Sequence, residues 1–242
     1  MWTNSMLKQN GMANFTKNRW ACVVVCLLLG VATGGSSGSV GSNVGSSAGR
    51  SENGRIDFNN INWDVVIPIL MVILAASLVF IIIGLALKIC VFNPLTVGCQ
   101  RFFIVNRVEE KAAIGNVGYG FKSNWKNIVK VMFIMHLYLF FWSMLCVIPG
   151  IIKGYSYRLV PYLLAENPDM THDEAITLSR KMMDGQKMNA FAFDLSFLGW
   201  ALLSVFTCGI LWIFYVGPYK RCSDAELYTA IKETYNPNPA VM

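Results

Sequence analysis

The run from Val65 to Val91 constrains this chain more than any other stretch, because its 27 residues contain one charged side chain, Lys88, near the end. As a helix rising 1.5 Å per residue it measures about 40 Å, enough to cross a hydrocarbon core of about 30 Å, with the lysine stem reaching the interface. Composition points the same way. The 242 residues are 55% hydrophobic and 14% charged, where soluble domains carry about 25% charged residues. A disordered chain, a collagen-like fibre and a disulfide-stapled mini-protein are excluded. The fold class expected is all-α, a polytopic transmembrane helical bundle.

Further apolar runs follow at 127–148, carrying His136 and stopped by Pro149-Gly150, and at 188–218, which is too long for one crossing. Thr207-Cys208-Gly209 divides that last run into 188–206 and 209–230, with Pro218 kinking the second part. Two shorter runs are ambiguous by length. Residues 20–33 read as a first span, or as a signal-like segment behind Lys17 and Arg19; residues 151–165 hold Lys153 and Arg158 and read as a span or an interfacial segment. With both counted, about six spans form three helical hairpins, at 20–33, 65–91, 127–148, 151–165, 188–206 and 209–230.

The distribution of bases favours that count. With residues 1–19 and 231–242 as cytoplasmic tails, 16 of the 20 Lys and Arg lie on the inner side and three outside (Arg50, Arg55, Lys153), Arg158 being within the membrane. Such a bias follows the positive-inside rule and places the protein in the inner, cytoplasmic membrane with both termini cytoplasmic. Residues 34–64 form a Gly/Ser-rich outer loop expected to be a flexible linker. Thr171-His-Asp-Glu174 is a capping box opening an amphipathic helix over Ala175–Met183, and Arg101–Lys111 is a second candidate for a short cytoplasmic surface helix.

The hairpins also share a plan. A polar threshold precedes the first helix of each (Phe15–Trp20, Phe121–Lys126, Asp184–Asn189), and a proline falls late in the second (Pro94, Pro161, Pro218). Apolar hairpins match one another easily, so a parallel repeat and chance similarity stand level.

Signatures of common chemistry are absent: there is no His-Glu-x-x-His, Gly-x-Ser-x-Gly, Walker loop or Gly-x-Gly-x-x-Gly. Seven cysteines without a Cys-x-x-Cys pair give no zinc site or disulfide framework. No cofactor, metal or catalytic residue is expected. The tyrosines and tryptophans around the spans suit an interfacial belt better than a ligand box. His172, in the capping turn, reads as a solvated residue.

What needs a reason is charge within apolar runs, since each such group costs several kcal/mol unless partnered. His136, Arg158 and Asp194 fall about 13, 10 and 10 Å below the inner face by helix rise. The sharper expectation is an intramembrane polar cluster in which Arg158 and Asp194 pair, completed by His136 and Tyr157. The plainer one is that the charges snorkel and His136 bonds a helix carbonyl.

Several strings then resemble a known family: Val97-Gly-Cys-Gln-Arg-Phe-Phe103, Ile148-Pro-Gly-Ile-Ile-Lys153, Pro161-Tyr-Leu-Leu-Ala-Glu-Asn-Pro168, Met182-Met-Asp-Gly-Gln-Lys187, Leu195-Ser-Phe-Leu-Gly-Trp200 and Gly217-Pro-Tyr219. Together they resemble the bacterial domain-of-unknown-function 975 family of multi-pass membrane proteins over about residues 90–230. The resemblance implies a small bacterial membrane protein and supplies no catalytic or binding residues. The long Gly/Ser loop and the charged string Lys220–Tyr228 depart from the family pattern.

The function expected is a non-enzymatic accessory or scaffold protein of the bacterial cell membrane with a basic inner face. Its partners would be anionic membrane lipids and a membrane protein or second copy, with no nucleic acid. The alternative is a small transporter or channel subunit built on the polar cluster.

Overall fold

The structure, a computed structural model, describes residues 2–32, 63–109, 112–207 and 209–235. Among them every regular element is helical: α1 (Asn4–Lys17), α2 (Arg19–Ala32), α3 (Trp63–Leu87), α4 (Asn93–Val108), α5 (Tyr119–Lys122), α6 (Trp125–Leu145), α7 (Val147–Tyr157), α8 (Val160–Glu166), α9 (His172–Met182), α10 (Lys187–Leu195), α11 (Leu198–Phe206) and α12 (Gly217–Tyr235), with one 3₁₀ turn at Ile114–Gly118. Single π-helical turns at Lys88–Phe92 and Trp212–Val216 lead into α4 and α12. The Gly/Ser loop lies outside the described residues for nearly all of its length.

Both π turns stand just before a proline. Pro94 has no N–H to give the carbonyl four residues back and its ring crowds that carbonyl, so the ladder loosens there. The freed oxygen belongs to Cys90, and it accepts a hydrogen bond from Trp125 Nε1 at 3.0 Å. A backbone defect created on one helix is thus repaired by the first residue of α6. Pro161 starts α8 in the same manner after the break at Arg158–Leu159, as Pro218 follows Gly217 at the start of α12.

Among the described residues six crossing helices do not appear. Three are long and apolar enough to cross a membrane: Leu70–Val108, Trp125–Leu145 and Lys187–Phe206. The run 151–165 is split between α7 and α8 and yields no helix of crossing length. α2, with 14 residues, is about 21 Å long. The 209–230 run divides: residues 209–216 form a turn and the second π turn, and from Gly217 the chain is α12, which continues to Tyr235 with Asp224, Glu226 and Tyr228 buried, so protein surrounds it. The expected surface helix at Arg101–Lys111 is likewise corrected: through Val108 it is the second half of α4, whose Phe102, Phe103 and Asn106 are buried in the core. The α9 capping box is present, but its apolar face (Ala175, Ile176, Met182) packs inward instead of lying on a surface.

The core sits at one end of the long helices. In α6 the buried residues are Ile128, Val131, Met132 and Met135, all in the first half, while Phe140, Phe141, Met144 and Leu145 are exposed. In the continuous α3–α4 helix the described α3 side chains are exposed, whereas α4 buries Val97, Cys99, Phe102 and Phe103 among others. Ala190 and Phe193 of α10 are buried, whereas Leu202, Leu203, Val205 and Phe206 of α11 are exposed. A helical head built from α1, α4, α8, α9 and α12 therefore carries apolar arms with uncovered sides. Within the head α1 lies against α12 so closely that a Cβ on Gly11 would fall on Ser223. α2 runs antiparallel to α12, since Cys22 Sγ lies 3.7 Å from Cys222 Sγ while Cys26 approaches Gly217.

Candidate functional site

Where the arms join the head, four charged side chains close a ring. Arg158, at the end of α7, donates from Nη1 to Asp194 Oδ2 at 2.7 Å and from Nη2 to Asp194 Oδ1 at 3.1 Å, a bidentate pair. Its Nη2 also donates to Asp224 Oδ1 at 2.8 Å. Lys220 Nζ closes the circuit, 3.0 Å from Asp194 Oδ1 and 3.2 Å from each oxygen of Asp224. Tyr155 OH donates a further bond to Asp194 Oδ2 at 3.0 Å. Cations and carboxylates alternate, so every charge has two opposite neighbours and the ring sums to zero. That arrangement offsets the desolvation that makes single buried ions costly, because each carboxylate oxygen is filled by N–H or O–H donors.

Three chain segments supply the ring, α7, α10 and α12. Lys220 and Asp224 are four apart on α12 and so share one helix face. Above the ring opens a cavity of about 430 Å³, lined by Gln100, Ile151, Gly154, Tyr155, Arg158, Tyr162, Asp194, Lys220, Arg221 and Asp224. Beyond the four ring members it exposes one more cation, Arg221, which reaches Asp224 only at 4.0 Å. Gln100 is buried and its Oε1 has no hydrogen-bond partner.

The structure brings together Arg158 and Asp194 and leaves two expected members elsewhere. His136 is corrected to a local role: its Nδ1 lies 2.6 Å from the Met132 carbonyl one turn back, a bond within its own helix. Tyr157 is corrected as well, being buried among Val131, Met135 and Val160 on the α6 side. The reason is helix geometry. Adjacent residues point about 100° apart, so Tyr157 cannot share the face of Arg158, whereas Tyr155, three residues back, does.

Sequence reading missed Lys220, Asp224 and Tyr155. Their signal was present in the i,i+4 spacing of Lys220 and Asp224 on a charged string next to Pro218. Counting Lys220 among the cytoplasmic bases concealed it.

A second network ties the head together behind the ring. Glu226 Oε1 accepts from Asn14 Nδ2 at 2.7 Å and from Arg107 Nε at 2.9 Å, joining α12 to α1 and α4. Glu166 accepts from Tyr228 OH at 2.7 Å and Lys232 Nζ at 2.5 Å, and Tyr228 stacks on Tyr162 with ring centroids 5.0 Å apart. Among the described residues no group of His, Cys, Asp and Glu has the arrangement of a metal site. On α9, remote from the ring, the Thr171 backbone and side chain hold the Glu174 carboxyl below its ordinary value of 4.5.

These features define the class: an all-α protein with three helices fit to cross a membrane and an alternating charge ring where they meet a polar head. The particular family follows from the sequence. The family described as Protein of unknown function (DUF975) matches residues 65–235, and the chain belongs to it. No curated protein and no solved structure matches the chain.

Proposed function

We propose that this is a non-enzymatic, multi-pass accessory protein of the bacterial cytoplasmic membrane, with its basic head on the cytoplasmic side in contact with anionic lipid. The single observation carrying this reading is the division of the molecule into apolar arms with uncovered sides and a buried, ion-paired head. Uncovered Leu, Ile and Phe along three long helices need lipid as their solvent. The bases at the junction, among them Lys88, Lys122, Lys126 and Lys187, then stand at the level of anionic headgroups, each adding about 1 kcal/mol of attraction.

Parity supports this topology. The packing of α1 against α12 favours both ends of the described chain on one side of the membrane, and so an even number of crossings. α7 supports an even number: it starts beside the exposed tip of α6, with Gly150 close to Ser143, and ends with Tyr157 among the buried residues of the first half of α6. Short segments such as α2, α7 and residues 210–216 thus lead the chain back beside the long helices. In this reading, the ring lies twelve residues from both Cys146 and Phe206, about 18 Å from the outer tips. It therefore falls within the inner part of a hydrocarbon layer of about 30 Å.

Cys146 is exposed in the turn between α6 and α7. A membrane-impermeant maleimide should label it in intact spheroplasts, while Arg180→Cys, on the head, in a chain also carrying Cys146→Ser should label only after lysis; the reverse pattern would overturn the orientation. In nanodiscs, thermal stability should rise with the fraction of anionic lipid and lose that dependence in high salt. Equal stability in anionic and zwitterionic lipid would refute the lipid-contact half of the proposal.

The rival reading, a small transporter or channel subunit, is favoured by the open cavity above the ring. His136 does not line that cavity, and the ring that floors it is closed upon itself. A through-path would require the ring to open.

A further inference from the structure

We infer that the cavity above the charge ring is a binding site for one phospholipid headgroup, taking its phosphate beside Arg221 and a hydrogen-bond donor of the headgroup at Gln100. The inference rests on the membrane placement proposed above and goes beyond a diffuse basic face to one built site. Three observations carry it, each concerning a different part of the cavity.

The first is charge. The ring of Arg158, Lys220, Asp194 and Asp224 is neutral and its members are engaged with one another, so the charge left in the lining is that of Arg221, 4.0 Å from the nearest carboxylate oxygen. One phosphodiester monoanion would neutralise it, and a guanidinium fork is the side chain best shaped for such a group. The second is an unfilled acceptor. Gln100 is 5% exposed, lines the cavity and has its Oε1 buried with no donor. A buried carbonyl left bare is costly, and turning the Gln100 amide toward a ligand N–H or O–H in the cavity relieves that cost. Glycerol and ethanolamine headgroups carry such a donor next to the phosphate; choline, fully methylated, has none.

The third is a side opening. Ile151 and Gly154 of α7 belong to the lining, Ile151 is exposed, and a Cβ built on Gly154 meets nothing within 4 Å. Leu195 and Leu198, at the α10–α11 junction beyond Asp194, are exposed apolar residues as well. A headgroup entering past Gly154 would leave its acyl chains against apolar surface that already needs lipid. This favours a lipid over a free phosphate ester, which would gain nothing from that surface.

The test uses the full chain purified in detergent, with native mass spectrometry of bound phosphatidylglycerol, phosphatidylethanolamine and phosphatidylcholine of identical acyl chains, and inorganic phosphate as a soluble competitor. One molecule of the glycerol or ethanolamine lipid should be retained about tenfold more tightly than the choline lipid, the scale of one buried acceptor satisfied or left bare. Gly154→Leu, whose Cβ has nothing within 4 Å, should abolish the one-to-one adduct by filling the opening, and Arg221→Gln should weaken all three lipids about tenfold. Circular dichroism melts report whether each variant is folded. Equal retention of the choline lipid, or an unchanged adduct in folded Gly154→Leu, would overturn the site; displacement of lipid by millimolar inorganic phosphate would overturn the lipid assignment in favour of a soluble phosphate. The ethanolamine arm separates this inference from the anionic-lipid reading, because that lipid carries no net charge. Its one-to-one binding survives if the dependence on anionic lipid fails.

Discussion

α3 and α12 make an instructive pair, since both arise from runs read as membrane spans and each is followed or preceded by a π turn at a proline. α3 keeps its apolar side chains uncovered over almost its whole length, with Ile82 and Phe80 fully outward. α12 does the reverse, burying Asp224, Glu226 and Tyr228 among α1, α4 and α8. The first helix takes its stability from the solvent it requires; the second takes it from specific partners. Hydropathy registers the first kind of helix directly and misjudges the second, because a charge paired inside protein and a charge in water read alike in sequence.

That contrast can be broken most forcefully at the ring. Asp224→Asn leaves Arg158 and Lys220 short of a carboxylate in a poorly solvated place, and the loss of stability in detergent melts should be about 3–5 kcal/mol. The double variant Arg158→Met/Asp194→Leu should cost clearly less than the sum of its single changes; additive losses would show that the pair is not coupled. On α3 the corresponding insult is Ile82→Asp. It should leave the packing of the head untouched and cost about 3 kcal/mol of membrane insertion, read as the fraction of chain recovered in membranes. Unchanged recovery would remove α3 from the bilayer and with it the comparison.

A smaller effect sharpens the junction between the two regimes. Trp125→Phe removes the donor that repairs the Cys90 carbonyl ahead of Pro94, and should cost about 1 kcal/mol while accelerating amide exchange around the π turn. Least of all is the α9 cap. The Glu174 carboxyl is held below its ordinary value, so its contribution is present above about pH 4.5 and is lost as pH falls through the lower folded value. Amide exchange in the first turn of α9 should rise in that acid range, and Glu174→Gln should flatten the dependence.

Much of this was legible in the chain. The long apolar run of α3, the α9 capping box, the division at Thr207–Gly209 and the placing of Pro94, Pro161 and Pro218 at helix breaks depend on local physics: helix rise, a side chain reaching back one turn, a missing N–H. Gly209 takes φ +81° at the division, a conformation open to glycine at little cost. Asp194 and Arg158 stood out for a related reason, since an isolated charge in an apolar run demands a partner. The identity of the remaining partners was not legible. Lys220 and Asp224 sit 26 and 30 residues beyond Asp194, and Tyr155 became distinguishable from Tyr157 once the helix face of Arg158 was known.

By itself the sequence determined an all-α chain with long apolar helices, one family membership and a small number of charges in need of explanation. Tertiary structure alone decided which apolar runs stay uncovered, which become the core of a polar head, and that two cations and two carboxylates from three segments close into one ring. Local propensities act over a turn or two of helix. The cost of burying a charge is settled by whatever the fold brings within about 3 Å of it, at any distance along the chain.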